Sequence, residues 1–317
     1  MIIKEQVQGS ILGAACGDAL GMPTEGLSYQ QIQDAYGGWV NCYKKPIHRS
    51  KKPGQWTDDT DQILLLTETL IEAKGFDVHH YRHKLVEFAR KFLDGKIPNR
   101  GYGRTSRTAF RNLVNNIIPS GGNSPSCGAA MKIGPLGLFY ADESLEKICE
   151  YVQLCAQITH LHPESISGAC AIAVAVATAT KPNSTIPEIL KAGIRAAAQI
   201  EDGIAPHLKV VLKKVQNSNQ PLFRILKTGF SAKRTVGICF AIISRYPTYK
   251  DAIEHAINLG GDTDSYGTMI GSILGAKYGI SCIPELWLNG LEAKPYIHSL
   301  ATKLYETILK VKNHYNH

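Results

Sequence analysis

The sequence predicts an all-α fold, and three observations lead to that prediction. Apolar residues recur at helical spacing in segments that begin at Ser, Thr, Asp or Pro and end near Gly or Pro. Alternating, β-branched strand patterns bounded by turns are nearly absent. Two acidic clusters lie far apart in the 317-residue chain, and a shared site requires the residues between them to fold together. We therefore expect a compact, single-domain orthogonal helical bundle over 1–317.

The helices follow one another with long loops at about 21–57, 95–105 and 117–135. Their starts have the expected chemistry, because Ser144 is a favoured N-cap and Pro163 suits a first helical position. The longest apolar run, about 168–180, is too short to span a bilayer. No repeat of solenoid period is visible. The predicted helices cover 5–20, 30–36, 61–73, 79–92, 105–116, 144–159, 163–179, 186–199, 207–217, 236–246, 249–258, 266–278, 284–290 and 294–311.

Two stripes of glycines, each with a spacing of four residues, lie in the first helix and in a helix near the end of the chain. Glycine costs roughly 1 kcal/mol relative to Ala inside a helix, so the stripes need a reason. Either they let central helices pack closely and fix the geometry of a site, or each packs on an ordinary large side chain. The stripes are Gly9, Gly13, Gly17 and Gly21, and Gly267, Gly271, Gly275 and Gly279.

The first acidic cluster spans 57–61 and precedes an apolar helical segment. One polar residue is enough to cap a helix, whereas this cluster has five. Oxygen ligands of this kind suit hard divalent cations such as Mg²⁺ or Mn²⁺. We expect Asp58 and Asp59 to bind metal together with Thr57, and Asp61 to be a first-turn acid that is not a ligand.

The second acidic cluster, Asp262 to Ser265, follows two glycines that allow a sharp turn. Asp262 and Asp264 can reach the same ion from a loop. A calcium loop is the competing interpretation, but no acidic residue follows at the position that an EF-hand requires. Four carboxylates would repel each other without counter-ions, so the two clusters together predict a site for two divalent cations.

These motifs resemble the ADP-ribosylglycohydrolase family, which includes ADP-ribosylarginine and ADP-ribosylserine hydrolases. The resemblance spans roughly residues 8–290 in family order, and the combination of motifs is highly specific. The matching stretches are 13–21 with Glu25, 56–60, 128–137, 159–160, 260–265 and 284–287.

The resemblance implies a compact all-α fold with two Mg²⁺ or Mn²⁺ ions in a central cleft. It implies hydrolysis of the bond between ADP-ribose and an amino-acid side chain, with water replacing the side chain at the anomeric carbon. The expected partner is an ADP-ribosylated protein or an ADP-ribose-like small molecule. The family positions make the metal ligands Thr57, Asp58, Asp59, Asp262, Asp264 and Ser265, and the expected catalytic residues are Glu25, Asp59 and Asp264.

The same resemblance suggests the substrate-binding residues. Glu25 matches a mobile glutamate near the substrate ribose, and His160 matches a histidine near the substrate. Backbone N–H groups of a small-residue loop can hold phosphate oxygens. Cys127 and Lys132 stand where the family often has Asn and Arg, which affects phosphate contacts and not the metal site. The expected substrate-binding residues are Glu25, Gly101, Gly103, Ser126, Cys127, Gly128 and His160.

Three further residues have open roles. Asp18 is interpreted as a structural hydrogen-bonding acid. Asp94 is a possible general base, because some bacterial members use an aspartate near this position. His162 lies two residues from His160, so the pair is a poor metal site on a helix. We expect His162 either to cap the helix that starts at Pro163 or to lie on its surface.

Composition limits the remaining properties. The formal charge is +8, and the basic residues form no long run. The densest basic patch, 48–52, is interpreted as a solvated loop, so no nucleic-acid partner is expected. The eight cysteines form no Cys-x-x-Cys motif, which is typical of reduced thiols in a cytosolic protein. We expect a cytoplasmic monomer without a membrane partner.

Two other functions remain open from the sequence. One is hydrolysis of a free ADP-ribose-like metabolite, such as a phosphoester or O-acetyl-ADP-ribose. The other is a catalytically silent member that only binds ADP-ribose. The sequence does not identify the linkage that is cleaved.

Overall fold

A computed structural model describes residues 2–48 and 50–315 and confirms the all-α prediction. Within these ranges the chain forms sixteen α-helices, two short 3-10 helices at Cys127–Ala129 and Ile280–Cys282, and isolated β-bridges without a strand. The α-helices are α1 Lys4–Gly21, α2 Tyr29–Tyr36, α3 Asp58–Ala73, α4 Val78–Leu93, α5 Arg104–Val114, α6 Gly134–Phe139, α7 Leu145–Gln157, α8 Pro163–Ala179, α9 Ile186–Ala197, α10 Ala205–Gln216, α11 Leu222–Ile225, α12 Ala232–Arg245, α13 Tyr249–Leu259, α14 Thr263–Tyr278, α15 Glu285–Gly290 and α16 Lys294–Tyr315.

Every predicted helix is present, and the differences lie at the ends and in short segments. The helix α8 has the predicted limits, whereas α6 and α11 were missed because six and four residues are too few for a periodic pattern. Both helices next to the acidic clusters begin earlier than expected. The helix α3 starts at Asp58 and α14 starts at Thr263, so Asp58, Asp59 and Asp264 belong to the first helical turns. Asp262 is the N-cap of α14.

The two glycine stripes pack against each other along an antiparallel pair of helices, α1 and α14. A Cβ atom added to Gly17 would lie 2.1 Å from the carbonyl oxygen of Gly267, and one added to Gly271 would lie 2.2 Å from that of Gly13. The backbones therefore touch directly, which confirms the first interpretation of the stripes. The end of α1 lies beside the start of α14, since a Cβ on Gly21 would lie 2.2 Å from the carbonyl oxygen of Thr263.

The remaining helices bury this pair. The apolar helix α8 has almost every side chain buried, as expected for a core helix. Among the described residues, no helix is both long enough and apolar enough to cross a bilayer. All eight cysteines have free thiols. In the basic patch 48–52, Arg49 lies outside the described residues, and Lys51 is half-buried because its Nζ donates to the carbonyl oxygens of Trp56 and Arg100.

Candidate functional site

A cavity of about 320 Å³ opens where α3, α5 and α14 begin. It collects nearly all the residues that the sequence selects, although they come from distant parts of the chain. Thr57 is the exception, because it does not line the cavity. The lining residues that were predicted are Glu25, Asp58, Asp59, Gly101, Gly103, Ser126, Cys127, Gly128, His160, Asp262, Asp264 and Ser265.

Asp18 fixes the first turn of α3. Its buried carboxylate accepts hydrogen bonds from the backbone N–H groups of Thr57 and Thr60, both at 3.0 Å, and from the Thr60 hydroxyl at 2.5 Å. These N–H groups are ones that a helix start leaves unsatisfied. Asp18 therefore positions the turn that carries Asp58 and Asp59, in agreement with the structural role expected for it.

Thr57 is the N-cap of α3, and its hydroxyl oxygen accepts a hydrogen bond from the Asp59 N–H at 3.3 Å. The residue is fully buried and does not line the cavity. Its role as a metal ligand stays a prediction, and in this geometry its oxygen serves the helix start. Asp61 points elsewhere, since Trp56 and Tyr102 both donate to its carboxylate.

The second cluster meets the first at the start of α14. Asp262 is the N-cap residue, and Asp264 lies in the first turn, so the expectation that both lie on a loop is wrong for Asp264. The helix begins early because Thr263 is held by α1: its hydroxyl donates to the Gly21 carbonyl at 2.8 Å.

Glu25 lies with this cluster as a further candidate metal ligand. From the sequence, Glu25 is expected to have catalytic and substrate-binding roles but no metal-binding role. Carboxylate oxygens of Glu25, Asp262 and Asp264 all lie within 4.8 Å of one another, close enough to share one cation. The loop that carries Glu25 is tied to the second cluster by two backbone hydrogen bonds. The Gly26 N–H donates to Gly261 at 2.8 Å, and the Gly261 N–H donates to Leu27 at 2.9 Å.

Burial and mutual repulsion shift these carboxyl groups strongly. Burial, followed by the charges of Asp18 and Glu25, raises the pKa of Asp58 to about 7. Burial and the charge of Glu25 raise the pKa of Asp262 to about 6, against hydrogen bonds that lower it. Burial raises the pKa of Asp59 and of Asp264 well above the usual range. Bound cations would lower these pKa values and favour the charged form of the cluster.

A second part of the cavity lining, here called the donor wall, offers hydrogen-bond donors. The helix α5 begins at Arg104 after Gly103, with no side chain capping it, and its first three residues line the cavity. Ser126 and Gly128 lie beside it around the 3-10 helix. A helix start with exposed N–H groups attracts anions. The donor wall therefore suits phosphate oxygens. The carboxylate wall suits cations, and it consists of Glu25, Asp58, Asp59, Asp262 and Asp264.

His160 is 1% exposed and belongs to the donor wall. Its ring lies directly on Gly128, because a Cβ atom there would come within 2.6 Å of the histidine Nε2. That Nε2 has no hydrogen-bond partner among the described residues. A buried polar atom without a partner at a cavity wall is one that a ligand can satisfy.

Sequence comparison places the chain with known proteins. A sequence model described as ADP-ribosylglycohydrolase matches residues 1–313. The chain belongs to the ADP-ribosylglycohydrolase family. It is 33% identical over 311 residues to an uncharacterised protein of Archaeoglobus fulgidus, covering 98% of this chain and 99% of that protein.

Two relatives of this glycohydrolase-family chain have named activities. The ADP-ribosylarginine hydrolase Tri1 of Serratia proteamaculans is 27% identical over 317 residues, covering 95% of this chain and 79% of that protein. The human ADP-ribosylhydrolase ARH3 is 27% identical over 295 residues, covering 80% and 79%. A solved structure called ADP-ribosylglycohydrolase-related protein complex is 25% identical, has a TM-score of 0.78 and covers 96% of this chain and 98% of that one.

Several cavity residues were not selected from the sequence. Arg104, Thr105 and Ser106 have a recognisable signal in retrospect, since a Gly-Tyr-Gly segment precedes a helix without an acidic first turn. Met131 and Phe230 have no such signal. Phe230 reaches the cavity because the next residue, Ser231, pairs with Ser126 across an isolated bridge.

The other candidates lie away from the cavity or serve as helix caps. Asp94 ends α4, and its exposed carboxylate accepts a hydrogen bond from the Lys96 Nζ at 2.9 Å. It does not line the cavity, so the geometry gives no support to a role as general base. His162 caps α8 as expected, since its Nδ1 accepts from the Glu164 N–H at 3.2 Å.

The raised pKa values of Asp58 and Asp262 predict an unusual dependence of stability on pH for the metal-free protein. Both pKa values lie above the ordinary 3.8, so the folded state holds more protons than the unfolded state between that value and about 7. This contribution to the free energy of unfolding is present at pH 4 and is lost as the pH rises through 6 to 7. Divalent cations should restore stability most strongly above pH 7, by roughly 2.7 kcal/mol at a hundredfold excess over Kd.

Thermal unfolding in chelator, Mg²⁺ and Mn²⁺ across pH 5–8 measures this effect. The same gain from metal at every pH would contradict it. Asp251→Asn, in the exposed first turn of α13, is the matched control that should leave the profile unchanged.

Proposed function

We propose that this protein is a metal-dependent ADP-ribosyl-acceptor hydrolase. It cleaves the N- or O-glycosidic bond between ADP-ribose and a modified side chain, and so reverses mono-ADP-ribosylation of a protein. One observation carries the proposal: carboxylates and phosphate-type donors line a single cavity. ADP-ribose has the matching polarity, with ribose hydroxyls beside a pyrophosphate.

The carboxylate wall fits two divalent cations, Mg²⁺ or Mn²⁺. Glu25, Asp262 and Asp264 offer oxygens within reach of one ion. Asp58, Asp59 and Ser265 line the same wall, and the Asp59 Oδ2 has no hydrogen-bond partner among the described residues. When bound, the cations would supply Lewis-acid chemistry, orienting vicinal ribose hydroxyls and lowering the pKa of a water molecule.

The donor wall is proposed to hold the pyrophosphate. The start of α5 offers backbone N–H groups, and Gly101 and Gly103 let the substrate approach the backbone closely. Ser126 and Gly128 extend the wall around the 3-10 helix, and His160 completes it. Cys127 contributes its backbone here, because its Sγ is directed to the Asp262 carboxylate at 3.0 Å.

The chemistry is hydrolysis at the anomeric carbon of the distal ribose. The glycosidic C–N or C–O bond breaks, the water oxygen forms the new bond, and the side chain leaves with a proton. Asp59 and Asp264 are proposed to lie at the end of the cavity that takes the reacting ribose. Glu25, half-buried at the edge of the cluster, is proposed to accept the proton of the attacking water.

We predict that Glu25→Gln slows turnover by at least roughly a hundredfold, because the amide can neither accept the proton nor supply the charge that a hard cation requires. The Kd for ADP-ribose should change by less than about tenfold. Single-turnover release and calorimetric binding of ADP-ribose separate the two effects. If binding weakens while turnover of the bound substrate is kept, Glu25 is a binding residue only.

Release of ADP-ribose from arginine-linked and serine-linked ADP-ribosyl peptides tests the function and its linkage together. The reactions are run with Mg²⁺, with Mn²⁺ and with chelator. We expect metal-dependent release from one peptide, and the arginine-linked peptide is the first choice because a relative is named as an ADP-ribosylarginine hydrolase. Absence of release from both peptides would overturn the proposed linkage classes.

The alternatives give distinct outcomes in the same assay. Tight ADP-ribose binding without release, followed by turnover of O-acetyl-ADP-ribose, would indicate a metabolite hydrolase. Tight binding with no turnover of any of these substrates would indicate a binding-only member. That the protein is a cytoplasmic monomer without a nucleic-acid partner stays a prediction.

A further inference from the structure

Lys132 is a buried cation next to the cavity that has no role in the proposed chemistry. It is fully buried on the segment between the 3-10 helix and α6, and it does not line the cavity. Its Nζ lies 2.8 Å from the Thr159 hydroxyl oxygen and 3.2 Å from the Gln62 Oε1. Burial of an ammonium group costs several kcal/mol even after relaxation, so its two partners are worth following.

The first partner leads to His160. An ammonium group only donates, so the Thr159 oxygen accepts from Lys132 and keeps its own hydrogen to give. Two acceptors are near that hydrogen: the His160 Nδ1 at 2.8 Å and the Ala156 carbonyl oxygen at 3.4 Å. That carbonyl already accepts from the backbone N–H groups of Thr159 and His160. The hydroxyl therefore donates to the His160 Nδ1.

This hydrogen bond determines the form of the imidazole. Burial and the nearby charge of Lys132 hold the pKa of His160 well below its usual range, so the ring is neutral. A neutral ring that accepts at Nδ1 carries its proton on Nε2. His160 lines the cavity, and its Nε2 packs on Gly128 and has no hydrogen-bond partner among the described residues. The ring therefore carries an unused N–H donor beside Gly128 of the cavity lining.

The second partner leads to the metal side. Since Lys132 donates to the Gln62 Oε1, the amide nitrogen of Gln62 must face the other way. It lies 3.2 Å from the Asp58 Oδ2 and donates to that oxygen. One buried ammonium group therefore fixes the orientation of the side chain that holds Asp58 and of the one that holds His160. Burial lowers the pKa of Lys132 to about 8, so it remains mostly protonated at pH 7.

We propose that Lys132 is a positioning residue that sets the hydrogen-bond direction on both walls of the cavity. Through Thr159 it fixes His160 as an Nε2–H donor for an acceptor-only oxygen of the substrate pyrophosphate. Through Gln62 it orients the carboxylate of Asp58. The identity of that substrate oxygen rests on the proposed function, whereas the state of the histidine does not. Loss of Lys132 frees the Thr159 hydroxyl to rotate, and the imidazole can then present a lone pair to the phosphate.

The state of His160 is measured directly by ¹⁵N NMR of the imidazole nitrogens in the metal-free protein. The signal is assigned by its loss in His160→Gln. We expect a pyrrole-type Nε2 and a pyridine-type Nδ1 in the wild type and in Lys132→Arg. In Lys132→Met and in Thr159→Val we expect a mixture of the two neutral forms. A wild-type ring protonated at Nδ1 would overturn the proposal without any variant.

The Kd for ADP-ribose, measured by calorimetry with Mg²⁺, tests the consequence. Loss of one hydrogen bond to a charged oxygen should weaken binding by about ten- to a hundredfold in Lys132→Met and Thr159→Val, and Lys132→Arg should recover most of it. Unchanged binding in a folded Thr159→Val protein would overturn the substrate contact. If Lys132→Met does not fold, the wild-type spectrum and the Thr159→Val variant still test the proposal. If the wild type fails to bind ADP-ribose, the proposed function fails while the spectrum tests His160 independently.

Discussion

Replacing Asp264 with asparagine is expected to abolish turnover while the helical fold survives. Asp264 lies in the first turn of α14, 5% exposed, and its carboxylate shares a possible cation position with Glu25 and Asp262. Asparagine has the same shape and removes the charge that a hard cation requires. We expect turnover to fall by more than roughly a hundredfold, which is the upper size of effects seen for residues that only support metal ligands.

In contrast to its turnover, the stability of the metal-free Asp264→Asn protein should not fall. Burial and the charges of Glu25 and Asp59 raise the pKa of Asp264 well above its usual range, so its charged form is unfavourable without metal. The variant should therefore be at least as stable as the wild type in chelator, and it should gain less from Mg²⁺ or Mn²⁺. Circular dichroism and thermal unfolding measure both effects.

Asp58→Asn changes the first acidic cluster, and we expect it to lose activity in the same way as Asp264→Asn. Its matched control is Asp251→Asn, which changes an exposed aspartate in the first turn of α13 and should keep full turnover. Full turnover in either Asp58→Asn or Asp264→Asn would contradict the assignment of a two-cation site. Loss of activity together with loss of helicity would instead indicate a folding defect.

Replacing Gly267 with alanine is expected to destabilise the protein strongly. The new Cβ atom would lie 2.2 Å from the carbonyl oxygen and 2.5 Å from the carbonyl carbon of Gly17 in α1. These atoms are backbone, so relief requires two central helices to separate, which should cost about 3 kcal/mol or more. Helix propensity alone predicts the opposite sign, a gain of about 1 kcal/mol, so the sign of the change tests the contact.

Gly168→Ala in α8 is the matched control for this substitution. It is also a glycine inside a helix, but its added Cβ would approach only side chains, the nearest at 3.3 Å. Chemical unfolding should show a small change for Gly168→Ala and a large loss for Gly267→Ala and Gly17→Ala. A Gly267→Ala protein as stable as the wild type would contradict direct backbone contact between α1 and α14.

The sequence predicts the parts of the structure that depend on local chemistry. The limits of α8 follow from Pro163 and a continuous small, apolar run. The acidic motifs were identified because carboxylates at that density need a cation. The sequence does not determine what the glycine stripes pack against, because the spacing of the glycines indicates a smooth surface but does not identify the segment that contacts it. The structure resolves that question through the contact of Gly17 with Gly267.

What sequence reasoning missed depends on contacts between distant residues. Glu25 joins Asp262 and Asp264 because the loop after α1 is hydrogen-bonded to the Gly260–Gly261 turn, and no local pattern encodes this. The earlier start of α3 arises because Asp18 satisfies the free N–H groups of its first turn. The network that links Gln62, Lys132 and His160 likewise joins three separate segments.

Titration of the chelator-treated protein with Mn²⁺, followed by electron paramagnetic resonance and by ADP-ribose release in the same samples, tests the central claim most directly. The account predicts two bound Mn²⁺ ions per chain with spin coupling between them, and release that rises only as the pair fills. It also predicts loss of the coupled signal in Asp58→Asn and in Asp264→Asn. Full release with no bound Mn²⁺, or with a single uncoupled ion, would contradict the account.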